Sequence, residues 1–148
     1  MSFDGIAEQE AILERAKQLV GGRIHDGLTD DLTLERDQDG SIKPYIVVWF
    51  GEMYDQTTDR SLTGEEQQPV IMPMIFECWA PTATICREVA GKLRPLFRGW
   101  AANENMSPIR FRGAGNFMQR DSAGLPSRFQ RTVSMETILN MSVQTESA

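Results

Sequence analysis

The stretch from Val70 to Leu96 reads VIMPMIFECWAPTATICREVAGKLRPL, and it changes period at Pro81. Before that proline, Val70, Met72, Met74, Phe76, Cys78 and Ala80 fall on one face. Ile71, Pro73, Ile75, Glu77 and Trp79 fall on the other, so a strand is predicted over Val70–Ala80. Pro73 argues for an edge position or a bulge, because proline cannot donate to a ladder. After Pro81, Ile85, Val89 and Leu93 recur at helical spacing, with Cys86, Ala90 and Leu96 alongside. Thr82 or Thr84 is the expected cap. Glu88 and Lys92 form an i,i+4 pair. Pro95 disfavours helix at Arg94, and Gly99 is expected to finish the element. A one-faced strand feeding an amphipathic helix has one economical solution, a helix layered on a sheet.

The flanks add further pieces. Ile6–Val20 reads as a helix capped by Ser2 or Asp4 and stopped by Gly21-Gly22. Its expected apolar stripe is Ile6, Ile12, Leu13, Ala16, Leu19 and Val20; Glu8, Glu10, Glu14 and Lys17 form its wet face. Arg23–Leu34 reads as loop, with a short strand possible in sequence terms over Leu32–Arg36. The DQDG run at Asp37–Gly40 is a turn signal between extended segments. Ile42–Phe50 (IKPYIVVWF) is a strand apolar on both faces, so it is covered on both sides or forms part of an interface. Ile109–Arg112 and Phe117–Gln119 read as short strands, with a bulge or turn at Gly113–Gly115. Arg128–Asn140 is the last strand, with Phe129, Arg131, Val133, Met135, Thr137 and Leu139 sharing a face. The expected fold is α+β: a single antiparallel or mixed sheet with two α-helices packed on it, all 148 residues in one domain.

The totals exclude several functions. A net charge of -6 repels phosphate, which disfavours broad nucleic-acid binding. No apolar run approaches the roughly 20 residues of a membrane-spanning helix, and no membrane partner is expected. MSFDGIAEQE lacks the basic start and apolar core of a signal peptide, so a cytosol-like compartment is expected. Cys78 and Cys86 read as buried thiols rather than a disulfide framework. His25 is the only histidine, which leaves little room for a histidine-based relay or metal site. The acidic pairs Asp30-Asp31, Asp37/Asp39 and Glu65-Glu66 have the oxygens a hard cation takes, but DQDG lacks the remaining EF-hand positions. Such pairs are more often solvated loop charge. Neither a catalytic centre nor a cofactor is expected.

Gly51–Pro69 (GEMYDQTTDRSLTGEEQQP) is polar and without period. It exceeds the ~12–15 residues beyond which structureless loops are uncommon. It reads either as a surface loop or as a long hairpin arm that reaches a neighbour.

With PYIVVWFGE (Pro44–Glu52), this polar loop, the Val70–Trp100 unit and the strand pair split by RDSAGLPSRF (Arg120–Phe129), the chain resembles the tail terminator proteins of long-tailed bacteriophages. A strand ending in an aromatic residue, a short break and a helix closed by leucine and glycine recur there. The likeness runs over nearly the whole chain, though Pro73 and Pro95 both fall inside the matched unit. It implies a structural virion protein without enzymatic activity, assembled in the host cytoplasm and placed at the neck-proximal end of the tail. Such proteins form a homohexameric ring on the last ring of the tail tube. They stop tube polymerisation and offer a surface to the head-completion or stopper protein, and DNA passes through without specific binding. Carried onto this chain, the resemblance assigns subunit and partner contacts to Glu52, Met53, Tyr54, Asp55, Asp59, Arg60, Glu65 and Glu66 of the loop. Tyr45 and Trp49, with Arg128 and Arg131 of the last strand, would belong to the ring wall. Head–tail connector and stopper proteins share much of this outline and are the alternative.

Overall fold

The computed structural model describes residues 5–27, 34–55, 67–115, 118–120 and 128–142. Helix α1 spans Ile6–Ala16 and is followed by a 3-10 turn at Lys17–Leu19. Strands β1 (Ile24–Asp26), β2 (Tyr45–Phe50), β3 (Tyr54–Asp55) and β4 (Gln67–Ala80) precede helix α2 (Ala83–Phe97). Strands β5 (Arg110–Ala114), β6 (Met118–Arg120) and β7 (Arg128–Ser142) complete the chain. The seven strands form one mixed sheet in the order β1-β2-β4-β7-β5, with β3 on β4 and β6 on β7. Only β1 and β2 run parallel; the other pairings are antiparallel.

Both helices lie on one face. Ile46, Val48, Met72, Met74, Phe76, Cys78, Val133, Met135 and Leu139 from the sheet share one core with Ile12 and Ala16 of α1 and Cys86, Val89, Ala90, Leu93 and Phe97 of α2. Strand alternation sends these sheet residues to one side, as the sequence period requires. Thr82 caps α2, its Oγ1 accepting from the Ile85 amide at 3.2 Å. Cys86 donates its thiol to the Cys78 carbonyl at 3.3 Å, and burial pushes both thiols up. Phe76 meets Phe97 at 5.5 Å between centroids. Arg15 lies over the Trp100 ring and donates to the Leu96 carbonyl at 2.9 Å, which ties α1 to the end of α2.

Several expectations change. Of the two positions expected for Pro73 the structure takes the second: β4 is central, between β2 and β7, and Pro73 lies at an irregularity, where the β2–β3 side advances four residues from Phe50 to Tyr54 against three from Met74 to Ile71. Pro73 sits where β2 has ended at Phe50, opposite Met74, and β3 has not begun at Tyr54, opposite Ile71. Its carbonyl accepts from the Gly51 amide at 2.8 Å, so its N–H-less nitrogen points into that same gap, where no ladder donor is lost. A Cβ on Gly51 would fall 2.8 Å from the Pro73 ring, so this crossing needs glycine. Pro95 does not stop α2 at Arg94; the helix continues to Phe97. The proline lies in the last turn and both it and Gly91, whose carbonyl loses its partner, are exposed to water.

In α1 the buried line is Glu8, Ile12 and Ala16, while Ile6 is half exposed. Glu8 is therefore not on the wet face; Asn103, in the loop after α2, donates to it at 3.1 Å and satisfies it in the interior. The helix ends at Ala16, short of Val20, and its N-cap is Gly5 in the left-handed region. The proposed caps Ser2 and Asp4 lie outside the described residues. Arg23–Leu34 is not all loop, since Ile24–Asp26 pairs with β2. The Asp37–Gly40 turn is present: Arg36 bridges Ile42, and the Asp39 carboxylate accepts from the Ser41 amide at 2.9 Å. Hydrogen bonds from Ser41 hold that carboxyl below its ordinary value. Gly51–Pro69 is shorter as a loop than expected, because Tyr54–Asp55 pairs with Val70–Ile71 and β4 begins at Gln67. The described part is thus the stem of a hairpin. The bulge foreseen near Gly113 appears as a register shift between Phe111 and Gly113 in β5.

Candidate interaction surface

Among the described residues, the sheet face turned away from the helices has no helix layer. Its rows follow from register: Tyr45, Trp79 and Gln130; Val47, Glu77 and Thr132; Trp49, Ile75 and Ser134; Tyr54, Ile71 and Ile138. One end is covered by the hairpin around Asp37–Gly40. There Ile42, Tyr45, Val47 and Trp79 form a small second core with Leu34 against it. This is why β2 is apolar on both faces: its inner side faces the helices and its outer side meets this hairpin.

Tyr45 and Trp79 stack at 5.9 Å with 7° between planes, and His25 meets Tyr45 edge-on at 6.0 Å. The Arg128 guanidinium sits 5.0 Å over the Trp79 ring. Burial pushes the Tyr45 hydroxyl up to about 12, against the opposing influence of Arg128. Burial also lowers His25, with Glu35 acting in the opposite sense. These shifts record packing around an aromatic cluster.

Beyond the cluster the face is open. Glu77 accepts from Trp49 Nε1 and from Gln130 Nε2, both at 2.8 Å, which fixes Trp49 by its N–H edge. Trp49 is nevertheless 42% exposed, its cross-strand neighbour Ile75 is 42% exposed and Tyr54 is 50% exposed. Buried Glu136 lies at the β5 side, its Oε1 shared by Arg112 at 2.9 Å and Arg110 at 3.5 Å. The result is an aromatic and aliphatic patch rimmed by fixed charges, the composition of an interface centre rather than of a solvated surface.

Of the residues singled out in the sequence, Tyr45, Trp49, Tyr54 and Arg128 belong to this face. Glu52 is exposed beside it. Met53 is turned to the helix side and packs on the main core. Arg131 is opposite Cys78, on the strand face that carries the core. The Asp55 backbone pairs with Val70. Asp59, Arg60, Glu65 and Glu66 lie outside the described residues, as do Asp30, Asp31 and Phe117. Ile75, Glu77 and Trp79 were visible as the outward-facing set of β4. Their joint role depends on β2 and β7 lying to either side, which no local pattern states.

Fold and surface together define a two-layer α+β protein with both helices on one sheet face and, among the described residues, an exposed aromatic patch on the other. No family model matches the sequence, and no curated protein matches it. Among solved structures, a chain from the virion of a native gene transfer agent particle is similar, with a TM-score of 0.54 over 94% of this chain and 100% of that one. Sequence identity is 12%, so the likeness is one of fold.

Proposed function

We propose that this chain is a structural virion protein of the tail terminator type. It forms a ring at the head-proximal end of a phage tail tube, ends tube polymerisation and presents the surface on which the head-completion protein docks. The observation that supports this reading is the fold shared, over 94% of the chain, with a chain of a gene transfer agent virion. The aromatic face supports it, since exposed Trp49, Tyr54 and Ile75 need a partner. So does the β3–β4 stem, whose two strands bracket the acidic segment 56–66 in the sequence. A net charge of -6 favours passage of DNA over its retention.

The test is negative-stain electron microscopy of the purified protein with and without isolated tail tubes. Sixfold rings with an open pore, or caps on one tube end, are the expected result. Binding to portal-side proteins and none to tubes would replace this reading with that of a head–tail connector or stopper. Persistent monomers that bind no tube would overturn it.

A further inference from the structure

The two open edges of the sheet differ in charge and shape. On β5, the outer edge, Phe111 is 38% exposed and the Arg94 guanidinium of α2 lies 4.7 Å over its ring. Arg110 and Arg112, its neighbours in sequence, turn to the opposite sheet face, where buried Glu136 is their shared carboxylate. On the helix side this edge is an aromatic knob carrying one guanidinium, that of Arg94.

At the other edge, α1 and β1 leave an open cleft of about 410 Å³. Leu13 and Ile24 give it an apolar lining, Glu10, Glu14 and Asp26 an acidic one. Lys17 is the one cation among its lining residues, and its ammonium is held by Glu14 at 2.9 Å. The cleft has the opposite character to the knob in both respects, a recess for a projection and carboxylates for a guanidinium.

The two features also lie on the same side of the sheet. Phe111 is opposite Met135 and Ile24 is opposite Ile46, both core residues, so each points to the helix side. Along the strands Phe111 is level with Met74 and Asp26 with Phe76, an offset of about 7 Å that the tilt between copies has to take up. A copy placed beside another in the plane of the sheet brings helix layer to helix layer and edge to edge. The strand directions are compatible. From β2, three antiparallel steps reach β5, while β1 is parallel to β2. β5 therefore runs opposite to β1, and copies related by rotation about an axis along the strands meet with antiparallel edges.

We propose that the β5 edge of one copy, centred on Phe111 and Arg94, docks in the α1–β1 cleft of the next. The contact is head-to-tail: each copy uses one edge on each neighbour, and the rotation between copies decides whether the array closes. It removes both open edges at once. It rests on the ring reading above, and supplies the surface by which the subunits of that ring meet.

The test is directed cross-linking of the full chain. Cys78 and Cys86 are both buried and their thiols are pushed up by burial, so introduced surface cysteines react first. Chains carrying both F111C and D26C are expected to give, on mild oxidation, a ladder of covalent dimers, trimers and larger species on a non-reducing gel. Each single variant alone should stay monomeric on that gel, and an equal mixture of the two should give one dimer band. R94C in place of F111C gives the same ladder if Phe111 proves necessary for folding. Strong dimers from F111C alone would overturn the head-to-tail contact in favour of a symmetric one. A wild-type protein that forms rings while the double variant gives no ladder would overturn this contact and leave the ring reading intact. A wild-type protein that is monomeric alone and on tubes would overturn both.

Discussion

Trp79 carries two jobs at once. It closes the small core under the Asp37–Gly40 hairpin, and it stacks on Tyr45 while lying under Arg128. Replacing it by alanine removes that core's largest member, so Trp79→Ala is expected to lose about 3–5 kcal/mol in urea denaturation. Tyr45 reports on the same cluster through pH. Its hydroxyl ordinarily ionises near 10 and is pushed up to about 12 in the fold. Between those values the unfolded chain gives up its proton while the folded chain keeps it. Stability therefore falls as pH rises through that window and is unaffected by this group below it. Urea midpoints measured from pH 9 to 12 should show a steeper fall for the wild type than for Tyr45→Phe, which has no proton to lose.

The long ribbon of β4 and β7 is the element on which everything else hangs. β4 pairs with β7 along its whole length, with β2 and β3 on its other side. The gap between β2 and β3 is where Pro73 is tolerated, so a residue that reads as a strand breaker sits in the centre of the sheet without cost to the ladder. The β3–β4 stem beyond that gap contributes little to either core. Deleting residues 56–66, with a short glycine-containing turn joining Asp55 to Gln67, should leave the thermal unfolding of the monomer close to that of the wild type. The same deletion should weaken assembly, seen as fewer rings or fewer capped tubes per particle. A deletion that unfolds the chain would show that this segment belongs to the domain and not to its contacts.

At the scale of the molecule, the helices close one sheet face and leave three surfaces to be covered: the outer face around Trp49, the β5 edge and the α1–β1 cleft. The outer face is suited to a partner that buries aromatic and aliphatic groups, with Glu77 and Glu136 already satisfied by side chains of the chain itself. The two edges suit one another. A ring built through them would set the acidic α1–β1 cleft against the Arg94 guanidinium at the β5 edge.

Local pattern alone was enough for the alternation of β4 and β7, the double apolarity of β2, a threonine cap at Thr82 or Thr84 and the core stripe of α2. Each rests on a period or a cap that neighbouring residues define among themselves. It was not enough for β1, whose three residues are a strand only because β2 lies beside them, nor for buried Glu8, which needs Asn103 from beyond α2 as its partner. That Pro73 lies in a central strand, and that Arg94 stays helical before Pro95, also escaped it, because a missing donor costs nothing where water or a gap between strands meets it. The interaction surface divides the same way. The family resemblance marked Tyr45, Trp49, Tyr54 and Arg128, but only the strand order set them on one face and put Phe111 and Asp26 on opposite edges, both on the helix side. Which side chain lies in which strand face is decided by a period of two; which strands are neighbours is decided by long-range packing of the core.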